Sequence, residues 1–495
     1  MLFNSLTYLL FLPIVTLVYW LLPARARQVL LLIASYFFYM SWMKIYGLLL
    51  FGLTAANFII GLFIGRAKTH ANKRLIFTAG LAINLGCLVL FKYTNFFIES
   101  LRQTYTWMAP YLDLVALPSN VLTELPIILP LGISFFVFEF IHYLVDVFRG
   151  EKAVTSPVRF ALFAAFFPSQ IAGPIKRFED FERQLVAGIH FKKEMFQSGV
   201  YLIAQGMFKK VALGDNLATL VQAGFANPTM MSTLDTWVCV MAFALQIYYD
   251  FSGYTDIGRG SAMVLGFSLP ENFNMPYMAT SLRDFWHRWH ISLSTWLRDY
   301  LYIPMGGSRK GKNAASMNLM ITMLLGGLWH GASWHYVVWG AFHGAGLAVN
   351  RVFDDAVAKS EALKRMTESI AWKAFSHVFT FMVVCVGWVV FRANNMAEAM
   401  NIYTGMFTLR PSTTPDATIL QLFFQSPLPV ALTLYAIAYS GFKLYSKYTQ
   451  GVQAPIPLPQ IRVPVYVQAA GLTGFAMLVF GLAPQQSIPF IYFQF

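Results

Sequence analysis

Long apolar runs separated by short polar intervals follow one another along the chain. Because about 20 apolar residues span a bilayer, and fewer suffice for re-entrant segments, this pattern predicts an all-α polytopic membrane protein. We expect about eleven to thirteen transmembrane or re-entrant helices. Runs free of Asp, Glu, Lys and Arg include residues 1–24, 28–43, 45–65, 75–91, 125–138, 160–175, 236–249, 314–350, 374–391, 417–442 and 463–495.

The polar intervals are too short to fold as independent domains, since a separate hydrophobic core needs a longer chain. We therefore predict one membrane-embedded domain over residues 1–495. Its predicted parts are N-terminal helices 1–125, a core 126–350, C-terminal helices 351–483 and an extracytoplasmic tail 484–495. The run 160–175 has basic residues at both ends and is predicted to be re-entrant.

The composition agrees with a lipid environment. Hydrophobic residues make up 57% of the chain and charged residues only 12%, whereas soluble domains carry about 25% charged residues. The net charge of +13 comes from Lys and Arg clusters between the apolar runs, as in cytoplasmic loops, so nucleic-acid binding is not needed to explain it. Their placement predicts that both termini lie outside the cytoplasm. The three cysteines are isolated within apolar runs, which predicts neither disulfides nor a zinc site.

The longest uncharged run, residues 314–350, contains three histidines. A neutral imidazole is less costly in hydrocarbon than a formal charge and titrates near neutrality, which suits a general base. His330 is therefore a candidate base, although a histidine that pairs helices through a carbonyl is an equal alternative. For His335 and His343 we favour the packing interpretation.

A second pair of histidines lies in residues 281–307, where aromatic residues recur at helical spacing. This pattern predicts an amphipathic helix at the cytoplasmic interface. His287 and His290 would share one face of it, but they lack a third ligand nearby, so no metal is expected. A single buried histidine at position 290 is the preferred interpretation.

Acidic residues inside apolar segments are costly and therefore informative. Glu139, His142 and Asp146 fall on one face of a predicted helix, where they could form a proton path or a helix-pairing network. Asp250 and Asp256 bracket the sequence FSGYTD, which we predict to be a helix break beside a polar cavity. Substrate contact and structural capping are both open for these two residues.

A glycine-rich basic loop follows the second histidine pair. It contains Arg309 and Lys310 and offers backbone amides together with cations, which suits the phosphates of coenzyme A. Ordinary cytoplasmic loop charge is the alternative explanation.

Six ordered motifs resemble the membrane-bound O-acyltransferases, in particular the bacterial branch that serves alginate and related exopolysaccharides. The motifs are PLGISFF at 130–136, FPSQIAGPIKRF at 167–178, YYDFSGYTDIG at 248–258, PENFNMPY at 270–277, RWHISLSTWLRDYLYIPMGG around His290 and LWHG around His330.

The resemblance implies a ring of tilted helices around a central funnel, where a cytoplasmic acyl donor meets an acceptor from the other side. It implies that His330 is catalytic and that His290 is the second active-site histidine, within a catalytic core 126–350. Acetyl-CoA is the expected donor, and the candidate donor-binding residues are Arg309, Lys310, Trp329 and Asp256. An extracytoplasmic serine-hydrolase-like acetyltransferase is the expected partner, and the bacterial inner membrane is the expected location.

The final residues FIYFQF also resemble a C-terminal motif of these systems, in which a tyrosine is proposed to carry the acyl group. Tyr492 would then be the first acceptor, although an aromatic anchor at the membrane interface is an alternative. The expected function is O-acetylation of an alginate-like exopolysaccharide, with peptidoglycan or cellulose as alternative polymers. A transporter or flippase of an acylated envelope precursor and a structural scaffold are the alternatives of other classes.

Overall fold

The computed structural model describes residues 1–113, 115, 118, 121–171, 173–411, 418–437, 465–484 and 488–493. Every regular element within these ranges is helical. The predicted all-α fold is thereby confirmed.

Most of the apolar runs fold largely into helices, and further helices lie between them. In the first third of the chain they are α1 (Leu6–Leu21), α2 (Ala24–Met40), α3 (Lys44–Arg66), α4 (His70–Leu88), α5 (Thr94–Met108) and α6 (Ile133–Arg149). The middle contains α7 (Pro157–Ala165), α8 (Phe167–Gln170), α9 (Phe178–Ala187), α10 (Lys193–Met207), α11 (Asp215–Ala226), α12 (Thr233–Val264), α13 (Leu282–Arg288), α14 (Ile291–Leu297), α15 (Lys312–His330) and α16 (Trp334–Lys359). The last part contains α17 (Glu361–Glu368), α18 (Ile370–Arg392), α19 (Met396–Phe407), α20 (Ile419–Gln425), α21 (Leu428–Ile437) and α22 (Val465–Gly481).

Short π-helical and 3₁₀ turns join or extend several of these helices. The π-helical turns are Val89–Tyr93, Phe208–Gly214 and Arg298–Tyr302, and the 3₁₀ turns are Ala109–Tyr111, Pro276–Met278 and Ile491–Phe493. Each π-helical turn directly continues an α-helix, so α4 runs through the first of them into α5.

Three helical stretches of the described chain are long and apolar enough to cross a membrane: Lys44–Arg66, His70–Tyr111 and Ile370–Arg392. Shorter apolar helices cover Leu6–Leu21 and Leu428–Ile437. Large apolar side chains on α1 point outward, including Leu6 and Leu21, which are 72% and 77% exposed. An outward apolar face on an apolar helix is what lipid contact requires, and the fold is that of a membrane protein.

The run 160–175, which is predicted to be re-entrant, contains most of α7 and all of α8, which have nine and four residues and are interrupted at Phe166. At 1.5 Å per residue neither helix is long enough to cross a bilayer. The segment is nevertheless buried, since Phe166 and Phe167 have no exposed surface.

The predicted helix break between Asp250 and Asp256 is wrong. Both residues lie inside α12, which is continuous over 32 residues. Glycine lowers helix propensity, but packing against a neighbouring helix overrides this cost. The glycines within α12 allow a close helix contact instead of a break.

This contact joins α10 to α12 and is reciprocal. A Cβ on Gly206 would lie 2.6 Å from the carbonyl oxygen of Gly253, and one on Gly253 would lie 2.8 Å from that of Gly206. Gly199 and Gly260 repeat the arrangement at 2.8 and 2.6 Å. The two antiparallel helices therefore meet backbone to backbone at two levels.

The predicted amphipathic helix with two histidines on one face is also wrong. The chain forms α13 and α14, which are separated by Trp289 and His290. His290 has left-handed backbone angles, φ 43° and ψ 53°, which change the chain direction, so His287 and His290 are on different elements. Trp289 is buried among aromatic rings of the protein and does not lie at a membrane surface.

The acidic face of α6 pairs with neighbouring elements. Glu139 accepts two hydrogen bonds from Lys176 Nζ, both at 2.8 Å, and both side chains are buried. His142 accepts a hydrogen bond from a backbone N–H at the start of α9 at 3.3 Å. Asp146 accepts one from the hydroxyl of Tyr300 at 2.8 Å. Of the two interpretations left open, these contacts favour a helix-pairing network.

The glycine contact predicts a stability effect. Gly206→Ala places a methyl group against the carbonyl of Gly253, and we expect overpacking to reduce the free energy of unfolding by about 1–3 kcal/mol. Gly86→Ala is the matched control, because a Cβ there meets nothing within 4 Å and alanine favours the helix. Thermal unfolding in detergent should show a lower Tm for Gly206→Ala only. Equal Tm values for both variants would contradict the close contact.

Candidate active site

His330 is the last residue of α15. The final carbonyl groups of a helix have no partners within it and need others. Lys92 Nζ donates hydrogen bonds to the carbonyl oxygens of Trp329 at 2.6 Å and His330 at 3.1 Å, and the Tyr93 hydroxyl donates to that of Leu328 at 2.8 Å. The ammonium group thus lies at the negative end of the helix dipole. These bonds fix the backbone that carries the His330 ring.

His290 is held by the loop that precedes α13. The N–H of Ile291 donates to the carbonyl of Asn272, and the N–H of Asn274 donates to that of Arg288, both at 2.9 Å. These bonds secure the chain on both sides of His290, which has no exposed surface. A positive φ is uncommon for a residue other than glycine, and a surrounding structure that over-determines it is the usual reason that it persists.

The two histidines meet a residue of the C-terminal tail. The ring centre of His330 lies 6.5 Å from that of His290 and 5.7 Å from that of Tyr492. Phe251 contacts both His290 and Tyr492. Its ring centre lies 4.8 Å from that of His290 and 4.6 Å from that of Tyr492. Neither ring nitrogen of His290, nor Nδ1 of His330, has a hydrogen-bond partner among the described residues, although all three atoms are buried. We call His290, His330 and Tyr492 the central cluster.

Two cavities lie near the central cluster. The smaller has His330 and Tyr492 in its wall. The larger is lined by Ile291 and Ser292, which directly follow His290. Its charged lining residues are Lys176, Arg177, Asp180, Arg183 and Glu271.

The four predicted donor-binding residues are not gathered in one place. Trp329 lines the smaller cavity, whereas Asp256 is buried in an ion pair with Lys209 at 2.7 Å. Arg309 and Lys310 are exposed on the turn before α15. Since α15 has 19 residues, this turn and the central cluster are separated by about 28 Å along the helix.

The remaining histidines have structural partners or lie outside the site. His335 Nδ1 is 2.8 Å from Ser333 Oγ, and His343 Nδ1 accepts a hydrogen bond from Trp286 at 3.4 Å. These contacts support the packing interpretation for both. His287 is exposed. Across the part of the chain that the structure describes, no group of three His, Cys, Asp or Glu side chains is placed to hold a metal ion.

Sequence reasoning missed Lys92 and Phe251. Lys92 marked only the end of an apolar run, but α4 and α5 continue through it as one helical stretch, and a lone lysine inside such a stretch is a functional signal. Phe251 lies within the YYDFSGYTDIG motif, yet an aromatic residue beside an apolar run gives no signal of its own.

Comparisons with known proteins identify relatives of this chain. A family model described as MBOAT, membrane-bound O-acyltransferase family, matches residues 123–390. The chain is 40% identical to the probable alginate O-acetylase AlgI of Azotobacter vinelandii over 100% of both chains. It is 34% identical to the peptidoglycan O-acetyltransferase of Helicobacter pylori over 83% of this chain and 80% of the relative. It is 28% identical to the teichoic acid D-alanyltransferase of Bacillus subtilis over 53% of this chain and 68% of the relative.

The matched region contains His290 and His330, while Tyr492 lies beyond it. The names of all three relatives describe acyl transfer. The all-helical fold and its apolar spans agree with a membrane enzyme of this kind. The chain therefore belongs to the membrane-bound O-acyltransferase family and is itself an O-acyltransferase.

Proposed function

We propose that this protein takes an acetyl group from cytoplasmic acetyl-CoA and passes it across the membrane for O-acetylation of an extracytoplasmic polysaccharide. The observation that carries the proposal is the central cluster. Its three residues are distant in sequence, yet the rings of His290 and Tyr492 lie 6.5 and 5.7 Å from that of His330, and His330 and Tyr492 line one cavity. A base, a hydrogen-bond donor and a hydroxyl are the groups that acyl transfer needs.

In the first step the Tyr492 oxygen attacks the thioester carbonyl while His330 takes the hydroxyl proton. The C–S bond breaks, the proton passes from His330 to the departing coenzyme A thiolate, and acetyl-tyrosine and free coenzyme A result. His290 donates a hydrogen bond to the oxygen that becomes negative in the tetrahedral intermediate. The surrounding aromatic rings exclude water, which favours transfer over hydrolysis.

The acetyl group moves downhill along this route. A phenol, with an ordinary pKa of about 10, is a better leaving group than a sugar hydroxyl, so an aryl ester can acetylate a sugar. Thioester, aryl ester and sugar ester follow one another in order of decreasing reactivity. The last transfer requires an extracytoplasmic partner, which we propose to be a serine-hydrolase-like acetyltransferase.

This route requires a fixed orientation in a bacterial inner membrane. Both termini are extracytoplasmic in the proposal, and coenzyme A remains on the cytoplasmic side. Arg309 and Lys310 would hold its phosphates, and their distance from the central cluster requires an extended donor. The larger cavity, which includes Arg177 and Arg183, offers a nearer position for an anionic group.

Alginate-like exopolysaccharide is the first candidate acceptor, because a relative that matches over the full length of both chains is named for alginate. Peptidoglycan is the second, supported by the 34% identical peptidoglycan O-acetyltransferase. A flippase or a scaffold would not release coenzyme A, so the first experiment below also tests these alternatives.

His330→Ala should lower coenzyme A release by purified protein supplied with acetyl-CoA by about 10²- to 10⁴-fold, because the general base is lost. Thiol release measures this rate directly. His335→Gln is the matched control, since His335 is a buried histidine five positions away with a structural partner, and it should retain activity. An His330→Ala rate within tenfold of the unmodified protein would contradict the assignment.

His290→Ala should lower the same rate by about 10²- to 10³-fold through loss of the oxyanion donor. Asparagine tolerates the left-handed backbone and keeps a donor, so His290→Asn should retain more activity than His290→Ala. Identical losses in the two variants would argue against a hydrogen-bond role. Thermal unfolding of each variant separates this result from misfolding.

Tyr492→Phe keeps the ring that packs on Phe251 but removes the proposed nucleophile. We expect the acetylated C-terminal peptide, detected by mass spectrometry after incubation with acetyl-CoA, to disappear. We also expect the envelope polysaccharide of cells that carry the variant to lose its acetyl groups. Intact polymer acetylation in these cells would rule out the tyrosine step and leave the His330 assignment untouched.

A further inference from the structure

A cluster of three buried charges lies beside the C-terminal tail. Lys210 Nζ is 2.5 Å from an oxygen of Asp215 and 2.8 Å from an oxygen of Asp250. All three side chains are at least 94% buried. One cation and two carboxylates leave an excess negative charge, which is costly in a buried position unless further donors reach it.

The tail backbone supplies that donor. The N–H of Ile491 donates to the second oxygen of Asp250 at 2.8 Å, and Lys210 Nζ also donates to the carbonyl of Ile488 at 3.3 Å. Upstream of these bonds, Asn216 donates to the carbonyl of Leu482 at 2.7 Å. The cluster therefore recognises the main chain of the tail through charge-assisted hydrogen bonds, which are the strong kind.

Aromatic contacts fix the tail in the same place. Phe490 stacks on Tyr254 with ring centres 4.4 Å apart and lies 5.8 Å from Phe251. Tyr254 and Phe251 are on α12, within one turn of Asp250. Ile488, Phe490 and Ile491 are buried.

The bond at Ile491 is adjacent to the central cluster. Ile491 directly precedes Tyr492, whose ring lies 5.7 Å from that of His330. A displacement of the Ile491 amide would therefore displace Tyr492 from the base that the proposed function assigns to it.

We propose that Lys210 and Asp250 form a binding site for the backbone of residues 488–491 and act as positioning residues for Tyr492. Binding of the tail stands on the contacts alone, whereas the positioning role depends on the proposed acetyl-tyrosine step. Because the site binds main-chain atoms, it holds the segment without contact to the reacting hydroxyl. Acetylation of Tyr492 would therefore leave the hydrogen bonds that hold the tail in place.

Asp250→Asn tests the site with little risk to folding, because it leaves the Lys210–Asp215 pair balanced in charge. Hydrogen exchange of the C-terminal peptide, measured by mass spectrometry on the full chain in detergent, should become roughly 10- to 100-fold faster, as expected for a lost bond to a charged acceptor. The double variant Lys209→Met/Asp256→Asn is the matched control, since it removes the neighbouring buried ion pair of α12 without leaving an unpaired charge. It should leave this exchange unchanged.

Ile491→Pro removes the donor from the tail and leaves the charged cluster intact. Proline is tolerated at the first position of the Ile491–Phe493 turn. The remaining amides of the tail should exchange faster, and the double variant with Asp250→Asn should exchange no faster than either single variant, because both remove one interaction. Additive effects, or unchanged exchange in Asp250→Asn, would overturn the binding site.

Acetylation of Tyr492 provides the second measurement. Asp250→Asn should lower its maximal rate about tenfold or more and leave the KM for acetyl-CoA unchanged, since the donor site is intact. A raised KM with an unchanged maximal rate would overturn the positioning role. If the unmodified protein forms no acetyl-tyrosine while Asp250→Asn still accelerates exchange, the proposed function fails at that step and the tail site stands.

Discussion

The backbone contact between α10 and α12 is the interaction on which the site depends. Two reciprocal glycine pairs bring the helices together, and the π-helical turn that continues α10 then lies against α12. That turn carries Lys209 and Lys210, which reach Asp256 and Asp250 on α12. In an apolar interior such charges are stable only as pairs, so the glycines and the ion pairs require each other. Larger residues at the glycines would separate lysine from carboxylate.

The central cluster is assembled from the ends of elements. His330 ends α15, His290 precedes α14, and Tyr492 lies in a single 3₁₀ turn. Helix ends leave backbone groups without partners, and the partners they recruit, such as Lys92 at α15, hold the side chains in position. A site of this kind can be rigid although three separate segments contribute to it.

How much of the structure the sequence predicts depends on which features are determined by nearby residues alone. Apolar runs predicted the helices because span length is a property of a short segment. The two histidine motifs pointed to His330 and His290 through family resemblance. The break at Trp289 and His290 could not be predicted, because it depends on hydrogen bonds from a loop earlier in the chain. The continuity of α12 could not be predicted either, since the contact that offsets its glycines comes from α10.

The positions of the charged residues also depend on contacts between segments that are distant in sequence. In the sequence, Lys210 is one of many cations. The fold places it beside two carboxylates and the tail. Arg309 and Lys310 lie between His290 and His330 in the sequence, but in the structure the whole of α15 separates them from His330. Separation along the chain does not predict the distance between two residues in space where helices return to the same point. Pairing between charges is a property of the tertiary structure.

The left-handed backbone of His290 has a consequence for stability. A histidine in this conformation costs about 1–2 kcal/mol relative to glycine, which adopts it without strain. In the proposed function, the hydrogen bond that His290 donates during the reaction offsets this cost. Glycine at position 290 would relieve the backbone strain, but it would also leave a cavity where a fully buried imidazole now packs. Backbone strain and side-chain packing therefore act in opposite directions at this one residue.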